Sequence, residues 1–464
     1  MKTIVMWFRN DLRVLDNPAL SKAVEDSDQI IPLFIIDKNL TTGKYASSNR
    51  NKFLLESLLD LDKSLRDLGG KLVIKSGNPS EVISKINQEV KIDAIYCSED
   101  YTPYSIKRDE ELKQSLEKDD IELISFPGRL LAEDLKNIVT GSNSTYRVFT
   151  PFYNNWINIK RREVCLIPTH IKTPEISNDE INIHLDQDLI SPKVQIGGEA
   201  NALIRLSEFV ENDLQNYLDG HDNLDSDRTS KLSAYLHFGC ISPIYVESLL
   251  DKSEAAESFR RQLCWRDFYH YILLNNPKSN EEFQKKYLKL PWKYDEKLLK
   301  AWKDGQTGYP IVDAAMRQLK ETGWMHNRGR LIVGSFLTKD LFIDWREGEK
   351  YFMQMLVDGD KANNNGNWQW IASVGVDPAP VWRRVLSPDA QQESYDPDAN
   401  YIKRYIPELE NVPVEFISNP SKMTLNQQEE YGCIVGIDYP KRIIDHAEAR
   451  KSTLEAFSEI NRQS

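Results

Sequence analysis

The chain has 464 residues, more than one hydrophobic core usually organises, so we expect two domains. With 40% apolar residues, 28% charged residues and a mean hydropathy of −0.53, it has the composition of a globular protein, and it contains no apolar run of the roughly 18 residues that a membrane span needs. Its net charge of −12 argues against a protein that coats nucleic acid without specificity, although a local basic face remains compatible with that total.

The cysteines and histidines indicate neither a disulfide framework nor a metal site. The five cysteines are scattered without a C-x-x-C motif, and the seven histidines show no H-E-x-x-H spacing. The opening residues lack the basic start, apolar stretch and cleavage site of a secretory signal. We therefore expect a cytoplasmic protein without bound metal and without a membrane partner.

The first third of the chain alternates between strand and helix patterns. The predicted strands are Ile4–Phe8, Ile30–Ile36, Leu72–Ile74, Ala94–Cys97 and Ile121–Phe126. The predicted helices follow Asp16-Asn17-Pro18 or cover Phe53–Leu68, Pro79–Ile86 and Ile106–Leu116. Such alternation predicts an α/β domain with a doubly wound, parallel, five-stranded sheet, whose ligands gather beyond the carboxyl ends of its strands. No G-x-G-x-x-G or phosphate-loop motif follows a strand.

Beyond the sheet, the pattern changes twice. Residues 132–200 are rich in Pro, Asn and Ser and read as an interdomain connector. From residue 201 helical spacing dominates, as in Ala202–Leu218, Phe259–Leu274, Tyr309–Thr322 and Asp445–Asn461, and eight of the ten tryptophans lie beyond residue 260. We therefore predict an α/β domain at 1–131, a connector at 132–200 and an all-α domain at 201–464.

Three long runs carry a family resemblance. They are WFRNDLR at Trp7–Arg13, TGYPIVDAAMRQL at Thr307–Leu319, and the stretch from Gly323 to Trp370 that contains DGDKANNNGNWQW. Together they resemble the DNA photolyase/cryptochrome family over nearly the whole chain, and in particular its microbial class I enzymes for cyclobutane pyrimidine dimers. The resemblance implies an α/β antenna domain, an all-α domain that binds FAD, and light-driven repair of such dimers in DNA.

The resemblance assigns FAD-binding roles that the residues alone leave open. By itself Asp358-Gly359-Asp360 is most often a solvated turn, and Thr229 and Ser233 are equally compatible with helix caps. In the family, Asp360 matches an acid at the polar edge of the flavin ring, Asp358 an acid paired with Arg330, and Asn364 an amide facing the flavin N5 atom. The further matches to the FAD site are Tyr217, Thr229, Ser230, Lys231, Leu232, Ser233, Phe259 and Gly359.

Tryptophan supplies two further sets of candidates. Taken singly, a large aromatic at helical spacing is more often part of the core. In the family, Trp292, Trp345 and Trp368 match an electron-transfer triad, for which indoles suit stepwise one-electron oxidation. Trp265 and Trp370 match the pair of rings against which a flipped dimer lies, since a dimer stacks poorly in the duplex and offers flat faces to an indole.

The other residues of the expected lesion pocket bear on which lesion is repaired. Asn327 and Arg328 match polar contacts at its mouth, and Asn327 and Leu331 lack the histidines expected of a (6-4) photolyase. Gln262, however, stands where dimer-repairing enzymes usually carry Glu, and Gln there is typical of (6-4) enzymes. We give the missing histidines more weight and expect dimer repair; the alternatives are a (6-4) photolyase and a cryptochrome-like blue-light photoreceptor.

DNA and a second chromophore complete the expected partners. Arg266, Arg328 and Arg384 are candidate DNA contacts, although surface charges of this kind are often merely solvated. Arg50 and Asp100 resemble residues around an antenna, for which a deazaflavin or a flavin is favoured over folate because the Asn-Glu pair expected at Tyr104-Ser105 is missing. We expect a monomer that binds UV-damaged DNA with the dimer flipped out.

Overall fold

The N-terminal part of the chain is the predicted parallel sheet. The computed structural model describes residues 1–278 and 283–463. Its strands are β1 (Thr3–Phe8), β2 (Gln29–Ile36), β3 (Val73–Ser76), β4 (Ala94–Ser98) and β5 (Glu122–Phe126), paired in the order β3-β2-β1-β4-β5. Along β1, Ile4, Met6 and Phe8 enter one core while Val5 and Trp7 enter another. Helices therefore cover both faces of the sheet, which explains why its central strands are almost wholly apolar.

The helices of this part begin at polar caps and pack on the two faces. They are α1 (Pro18–Asp26), α2 (Lys38–Thr41), α3 (Ser48–Asp67), α4 (Pro79–Glu89) and α5 (Pro103–Leu116). The third helix begins five residues earlier than its apolar pattern indicates, because the side chain of Ser47 accepts a hydrogen bond from the backbone N–H of Arg50. The strand order reverses between β1 and β4, so the carboxyl ends of these two strands form the crevice of the sheet.

The stretch predicted as a connector contributes to the core. It contains α6 (Phe149–Trp156), in which Phe149, Phe152 and Trp156 are buried. The indole Nε1 of Trp156 donates to the buried carboxylate of Asp267 at 2.9 Å. The aromatic residues of this segment, at helical spacing, thus form a helix that packs against the helix carrying Asp267 in the helical part.

The remainder of the described chain is helical. Its α-helices are α7 (Glu199–Glu208), α8 (Tyr217–Gly220), α9 (Ser233–Phe238), α10 (Pro243–Ser248), α11 (Glu254–Asn275), α12 (Glu296–Asp304), α13 (Pro310–Thr322), α14 (Asn327–Ser335), α15 (Trp345–Met355), α16 (Lys361–Ala372), α17 (Pro388–Tyr395), α18 (Asn400–Tyr405), α19 (Val414–Ile417), α20 (Leu425–Glu430) and α21 (His446–Arg462). Three of the four helices predicted here are confirmed, within α11, α13 and α21. The predicted helix Ala202–Leu218 is wrong as one element, because α7 gives way to a π-turn at Phe209–Asp213.

That break places two aromatic rings on one core. Phe209 in the π-turn and Tyr217 at the start of α8 meet edge to face, with ring centroids 5.7 Å apart.

Within residues 1–278 and 283–463, none of the helices is long and apolar enough to cross a membrane. The same ranges contain no group of three or more His, Cys, Asp or Glu residues that could hold a metal ion.

A buried carboxylate joins α7 to the loop after β1. The side chain of Glu199 accepts hydrogen bonds from the backbone N–H groups of Val14 and Leu15, both at 2.9 Å. Burial raises the pKa of Glu199 from 4.5 to about 7, in spite of these two hydrogen bonds. The folded state therefore holds this proton more tightly than the unfolded chain does. The contribution of Glu199 makes the protein less stable as the pH rises from about 4.5 to about 7.

We expect Glu199→Gln to flatten the pH dependence of stability. Between about pH 5 and about pH 7.5 the free energy of unfolding of the natural chain should fall relative to that of the variant by roughly 2 kcal/mol. Urea unfolding of both proteins at the two pH values measures this difference. Glu25→Gln, which removes an exposed carboxylate on α1, is the control. Parallel pH profiles for the natural chain and Glu199→Gln would contradict the prediction.

Candidate functional site

Two buried carboxylates flank a glycine in the loop between α15 and α16. The carboxylate of Asp360 caps α16 by accepting from the backbone N–H of Asn363 at 2.8 Å. The carboxylate of Asp358 accepts from the guanidinium of Arg330 on α14 at 2.7 Å, which is the pairing implied by the family resemblance. The loop is therefore a buried, charge-paired turn instead of a solvated one.

Three cationic or polar side chains converge on Asp360. Its Oδ2 lies 3.4 Å from the Arg129 guanidinium, 3.5 Å from His237 Nδ1 and 3.5 Å from His270 Nε2. Burial raises the pKa of Asp360, but His270 and His237 outweigh it, and the pKa lies well below its usual value. Burial also lowers the pKa of His237. The arrangement is an ionised carboxylate surrounded by one guanidinium and two imidazole rings.

Several polar atoms around this loop are left unpaired. Within residues 1–278 and 283–463, buried Asp358 Oδ1, His237 Nδ1 and both ring nitrogens of His270 have no hydrogen-bond partner. Buried polar groups are nearly always paired, so such a cluster indicates the position of a polar ligand. Asn364, expected to face the flavin, lies one turn into α16, and its Nδ2 donates to the backbone carbonyl of Glu349 at 2.9 Å. These donors and acceptors fit the polar edge of FAD.

Arg129 was not found from the sequence. Its guanidinium bridges Asp100, at 2.7 Å, and Asp360, at 3.4 Å, and thereby connects the crevice of the sheet with the acid loop. The opposite charges of Arg129, Arg9 and Arg108 lower the pKa of Asp100 although burial raises it. An arginine in a loop carries no local signal for such a role, because its two partners are distant in the sequence.

Arg50 also reaches the acid loop. Its guanidinium donates to the backbone carbonyl of Leu356 at 3.1 Å and to that of Met353. A Cβ atom at Gly359 would lie 2.5 Å from this guanidinium, so only glycine fits there without displacing it. Arg50 and Asp100 thus both lie where the sheet domain meets the acid loop, and their role beside an antenna stays a prediction.

The segment expected to hold the FAD phosphates is bonded mainly to itself. Thr229 Oγ1 donates to Asp227 at 2.8 Å, Ser230 Oγ accepts from the N–H of Leu232 at 3.3 Å, and the Lys231 ammonium pairs with Asp227 at 2.6 Å. Ser233 is the first residue of α9. Nearby, Phe259 and Tyr217 meet edge to face with ring centroids 5.4 Å apart. The phosphate-binding role of these residues stays a prediction.

The three tryptophans of the expected triad lie on segments of the helical part that contact one another. Trp368 on α16 packs across Gly348 of α15, where a Cβ atom would come within 2.2 Å of the indole. Trp345, fully buried, begins α15 one turn earlier. Just before it Ile343 bridges to Lys293, and the ring of Phe342 lies 5.0 Å from that of Trp292. The segments that carry the three indoles are thus packed together, and electron transfer along them stays a prediction.

A fourth tryptophan, which the sequence did not single out, lies beside Trp368. Trp302 on α12 is fully buried, and its ring meets Trp368 edge to face at 6.2 Å. Its Nε1 donates to the carbonyl of Val333 at 3.0 Å. The contact depends on how α12 and α16 pack, which the spacing of tryptophans along the chain does not indicate.

Trp265 and Trp370 lie on the walls of one small cavity. Its volume is about 20 Å³, and Phe149, Tyr269, Gly366 and Asp377 are among the other lining residues. Phe149 stacks on Trp265 with the ring centroids 3.7 Å apart and the planes 3° from parallel. This volume holds about one water molecule. Gln262 and Asn327, expected beside a lesion, are both exposed.

The arginines expected to contact DNA occupy different positions. Arg266 is turned inward, and its guanidinium donates to the carbonyls of Arg129 at 2.7 Å and Leu236 at 3.0 Å. Arg328 pairs with Asp222 at 2.5 Å and remains partly exposed. Arg384, expected to contact a phosphate, is only 2% exposed. The structure buries two of the three guanidinium groups, and contact of any of the three with DNA stays a prediction.

Comparison with known proteins agrees with this layout. Residues 259–459 match the family described as the FAD binding domain of DNA photolyase, and residues 4–174 match the DNA photolyase family. A deoxyribodipyrimidine photo-lyase of Streptomyces griseus is 35% identical over 455 residues, which cover 97% of this chain and 98% of the relative.

Three solved structures have the same fold. A class III photolyase from Agrobacterium tumefaciens has a TM-score of 0.93 at 34% identity, covering 100% of this chain and 98% of that one. An archaeal photolyase from Sulfolobus tokodaii with two FAD molecules has a TM-score of 0.84 at 35% identity, covering 98% and 100%. A cryptochrome from Synechocystis has a TM-score of 0.89 at 28% identity, covering 98% and 99%.

Proposed function

This chain belongs to the DNA photolyase/cryptochrome family, and on that premise we propose that it repairs cyclobutane pyrimidine dimers in UV-damaged DNA, using light and bound, reduced FAD. The observation that carries the proposal is the placement of Trp370 and Asn364 on one helix, α16, which begins at the acid loop. Trp370 lines the small cavity together with Trp265 of α11. One helix thus joins the candidate flavin site to the candidate lesion site.

The chain's own residues would position both reactants. Asp358, Asp360 and Asn364 would hold the polar edge of the flavin with groups that packing already orients. Trp265 and Trp370 would stack on the flipped dimer and exclude water from it. When bound and reduced, FAD supplies a light-excited electron that opens the cyclobutane ring and then returns. Within this mechanism none of these side chains has to act as a nucleophile.

Lesion choice is the finer part of the proposal. Gln262 can donate a hydrogen bond to a pyrimidine carbonyl but cannot supply a proton. Asn327 and Leu331 lack the imidazoles on which we expect (6-4) chemistry to depend. Gln262 and Asn327 are both exposed, which suits contact with an incoming nucleotide. The class I assignment stays a prediction, since a class III enzyme is among the similar structures.

The test is a repair assay with purified, photoreduced protein. A thymine-dimer oligonucleotide and a (6-4) oligonucleotide are illuminated separately with blue light, beside dark controls, and recovery of the normal base absorbance is followed. The proposal expects light-dependent recovery of the dimer alone. Recovery of the (6-4) lesion alone would assign the alternative repair activity. Light-dependent flavin chemistry without repair of either lesion would favour a photoreceptor, which the similarity to a cryptochrome also suggests.

We propose a second chromophore beside the sheet domain, a deazaflavin or a flavin. Support comes from Arg50 and Asp100 at the junction between the sheet and the acid loop. The Sulfolobus photolyase, with its two FAD molecules, is a precedent for a flavin in that role. Chromatography of the chromophores released from purified protein tests the assignment, and a folate released in equal amount with FAD would overturn it.

We expect Trp368→Phe to remove most of the light-driven reduction of bound flavin. Phenylalanine keeps an aromatic ring beside Phe352, although it lacks the indole atoms that meet Gly348, and its ring is much harder to oxidise than an indole. The rate at which the oxidised flavin loses its blue absorbance under light with a thiol reductant measures the effect. Trp302→Phe, which alters an equally buried neighbour outside the predicted path, is the matched control. An equal loss in both variants would contradict the path through Trp345 and Trp292.

A further inference from the structure

The indole of Trp370 is held by a carboxylate that has no assigned role. Asp377 lies in the loop after α16, and its Oδ2 accepts from Trp370 Nε1 at 3.2 Å and from the Arg384 guanidinium at 2.7 Å. Its other oxygen accepts from the backbone N–H of Ala379 at 3.0 Å. One carboxylate therefore fixes the edge of the indole, a guanidinium and its own loop.

The guanidinium of Arg384 lies against the indole ring of Trp370. Its guanidinium carbon lies 4.3 Å from the centre of the Trp370 ring, at the distance of a cation–π contact. The backbone carbonyl of Arg384 accepts from Ser335 Oγ at 3.0 Å, which ties this residue to the end of α14. The side chain is buried, so its charge is balanced chiefly by Asp377. One face of the indole is thus covered and its N–H is engaged, while Trp370 still lines the cavity shared with Trp265.

The loop that carries Asp377 is itself fixed. The amide of Gln284 donates to the backbone carbonyls of Gly375 at 2.9 Å and Asp377 at 3.4 Å. The N–H of Gly375 donates to the carbonyl of Gln369 on α16 at 3.0 Å. Asp377 therefore lies in a loop that is held by hydrogen bonds to Gln284 on one side and to α16 on the other. A rigidly held aromatic loses little side-chain freedom when a base stacks on it.

We propose that Asp377, with Arg384, is a positioning residue that presets Trp370 for stacking on the extruded pyrimidine dimer. The inference rests on the proposed function and extends it to selectivity between damaged and undamaged DNA. Asp377 contributes to recognition only through the indole and adds no attraction for the phosphate backbone. Its loss should therefore weaken binding of the lesion without weakening the sequence-independent binding that cations dominate.

A double-mutant cycle tests this role. Dark binding of FAD-loaded protein to a thymine-dimer oligonucleotide and to an undamaged one is measured by fluorescence anisotropy. The proteins are the natural chain, Asp377→Ala, Trp370→Phe and the double variant. We expect Asp377→Ala to raise the dissociation constant for the dimer about tenfold, as for loss of a charge-assisted hydrogen bond. In the Trp370→Phe background, which lacks the indole N–H, the same change should cost less than about twofold. Binding of undamaged DNA should not weaken.

The conservative variant Asp377→Asn distinguishes positioning of the indole from a general loss of structure. Its amide oxygen can still accept from the indole, so lesion affinity should lie between those of Asp377→Ala and the natural chain. Under light, KM should rise while the repair rate at saturating oligonucleotide stays within about twofold, since positioning acts on binding. The inference would be overturned if Asp377→Ala lowered the affinity for the lesion equally in the natural and the Trp370→Phe backgrounds. It would also be overturned if the same change weakened the binding of undamaged DNA in parallel. A natural chain that does not distinguish the two oligonucleotides would instead count against the proposed function.

Discussion

Replacement of Asp360 by alanine should lower both the stability of the protein and its retention of FAD. The change removes the cap of α16, worth about 1 kcal/mol, and leaves Arg129 with one carboxylate partner where it had two. Breaking a buried ion pair typically costs about 3–5 kcal/mol, and the remaining contact with Asp100 favours the lower end. We therefore expect the free energy of unfolding to fall by about 3 kcal/mol or more, measured by urea unfolding of the apoprotein.

Asp360→Asn separates the cap from the charge. Asparagine is as good an N-cap as aspartate, so this variant should recover about 1 kcal/mol relative to Asp360→Ala. It still removes the carboxylate beside His237 and His270 and leaves Arg129 with Asp100 alone. Flavin content after gel filtration, read from the ratio of visible to ultraviolet absorbance, gives the second measurement. If Asp360→Asn binds FAD and unfolds like the natural chain, the carboxylate charge is not needed there.

Replacement of Gly239 by alanine should disrupt the contact between the sheet domain and the helical part. Gly239 ends α9 in a left-handed conformation with φ +67°, and a Cβ atom there would lie 2.0 Å from the carbonyl oxygen of Asn10. The adjoining contacts include the N–H of Leu12 donating to the carbonyl of Phe238 at 3.2 Å and Arg13 donating to that of Gly239 at 3.0 Å. The backbone of Asn10 cannot move away as a flexible side chain can. Relief of the overlap therefore requires the two domains to shift apart.

Gly432 provides a matched control for this substitution. It has the same φ of +67°, but a Cβ atom there would meet no other described atom within 4 Å. Alanine at Gly432 should cost only the left-handed strain, about 1–2 kcal/mol. Gly239→Ala should cost this strain plus roughly 1–3 kcal/mol for the overlap. Urea unfolding compares the two, and limited proteolysis of the 132–200 segment reports on domain separation. Equal losses would mean that backbone strain alone accounts for both.

Much of the fold could be predicted because its signals are local. The apolar runs of β1, β2 and β4 and the polar caps of their helices identify the parallel sheet within a few residues. Helical spacing identified α11, α13 and α21 for the same reason. The wrong prediction at Ala202–Leu218 came from a pattern that a π-turn preserves, since Phe209 and Tyr217 still reach one core across the break. In the 132–200 segment, polar composition hid the buried aromatic helix α6.

The residues of the candidate site differ in the same way, since some have local sequence signals and others depend on partners from distant segments. The sequence by itself determined the family, because long ordered runs are specific, and the resemblance implied the pairing of Asp358 with Arg330 that the structure contains. Only the tertiary structure decided which arginines are internal: Arg129 meets Asp360 across 231 residues of chain, and Arg384 turns inward to Asp377. A guanidinium is compatible with surface and interior alike, so its environment depends on partners that the fold brings from distant segments.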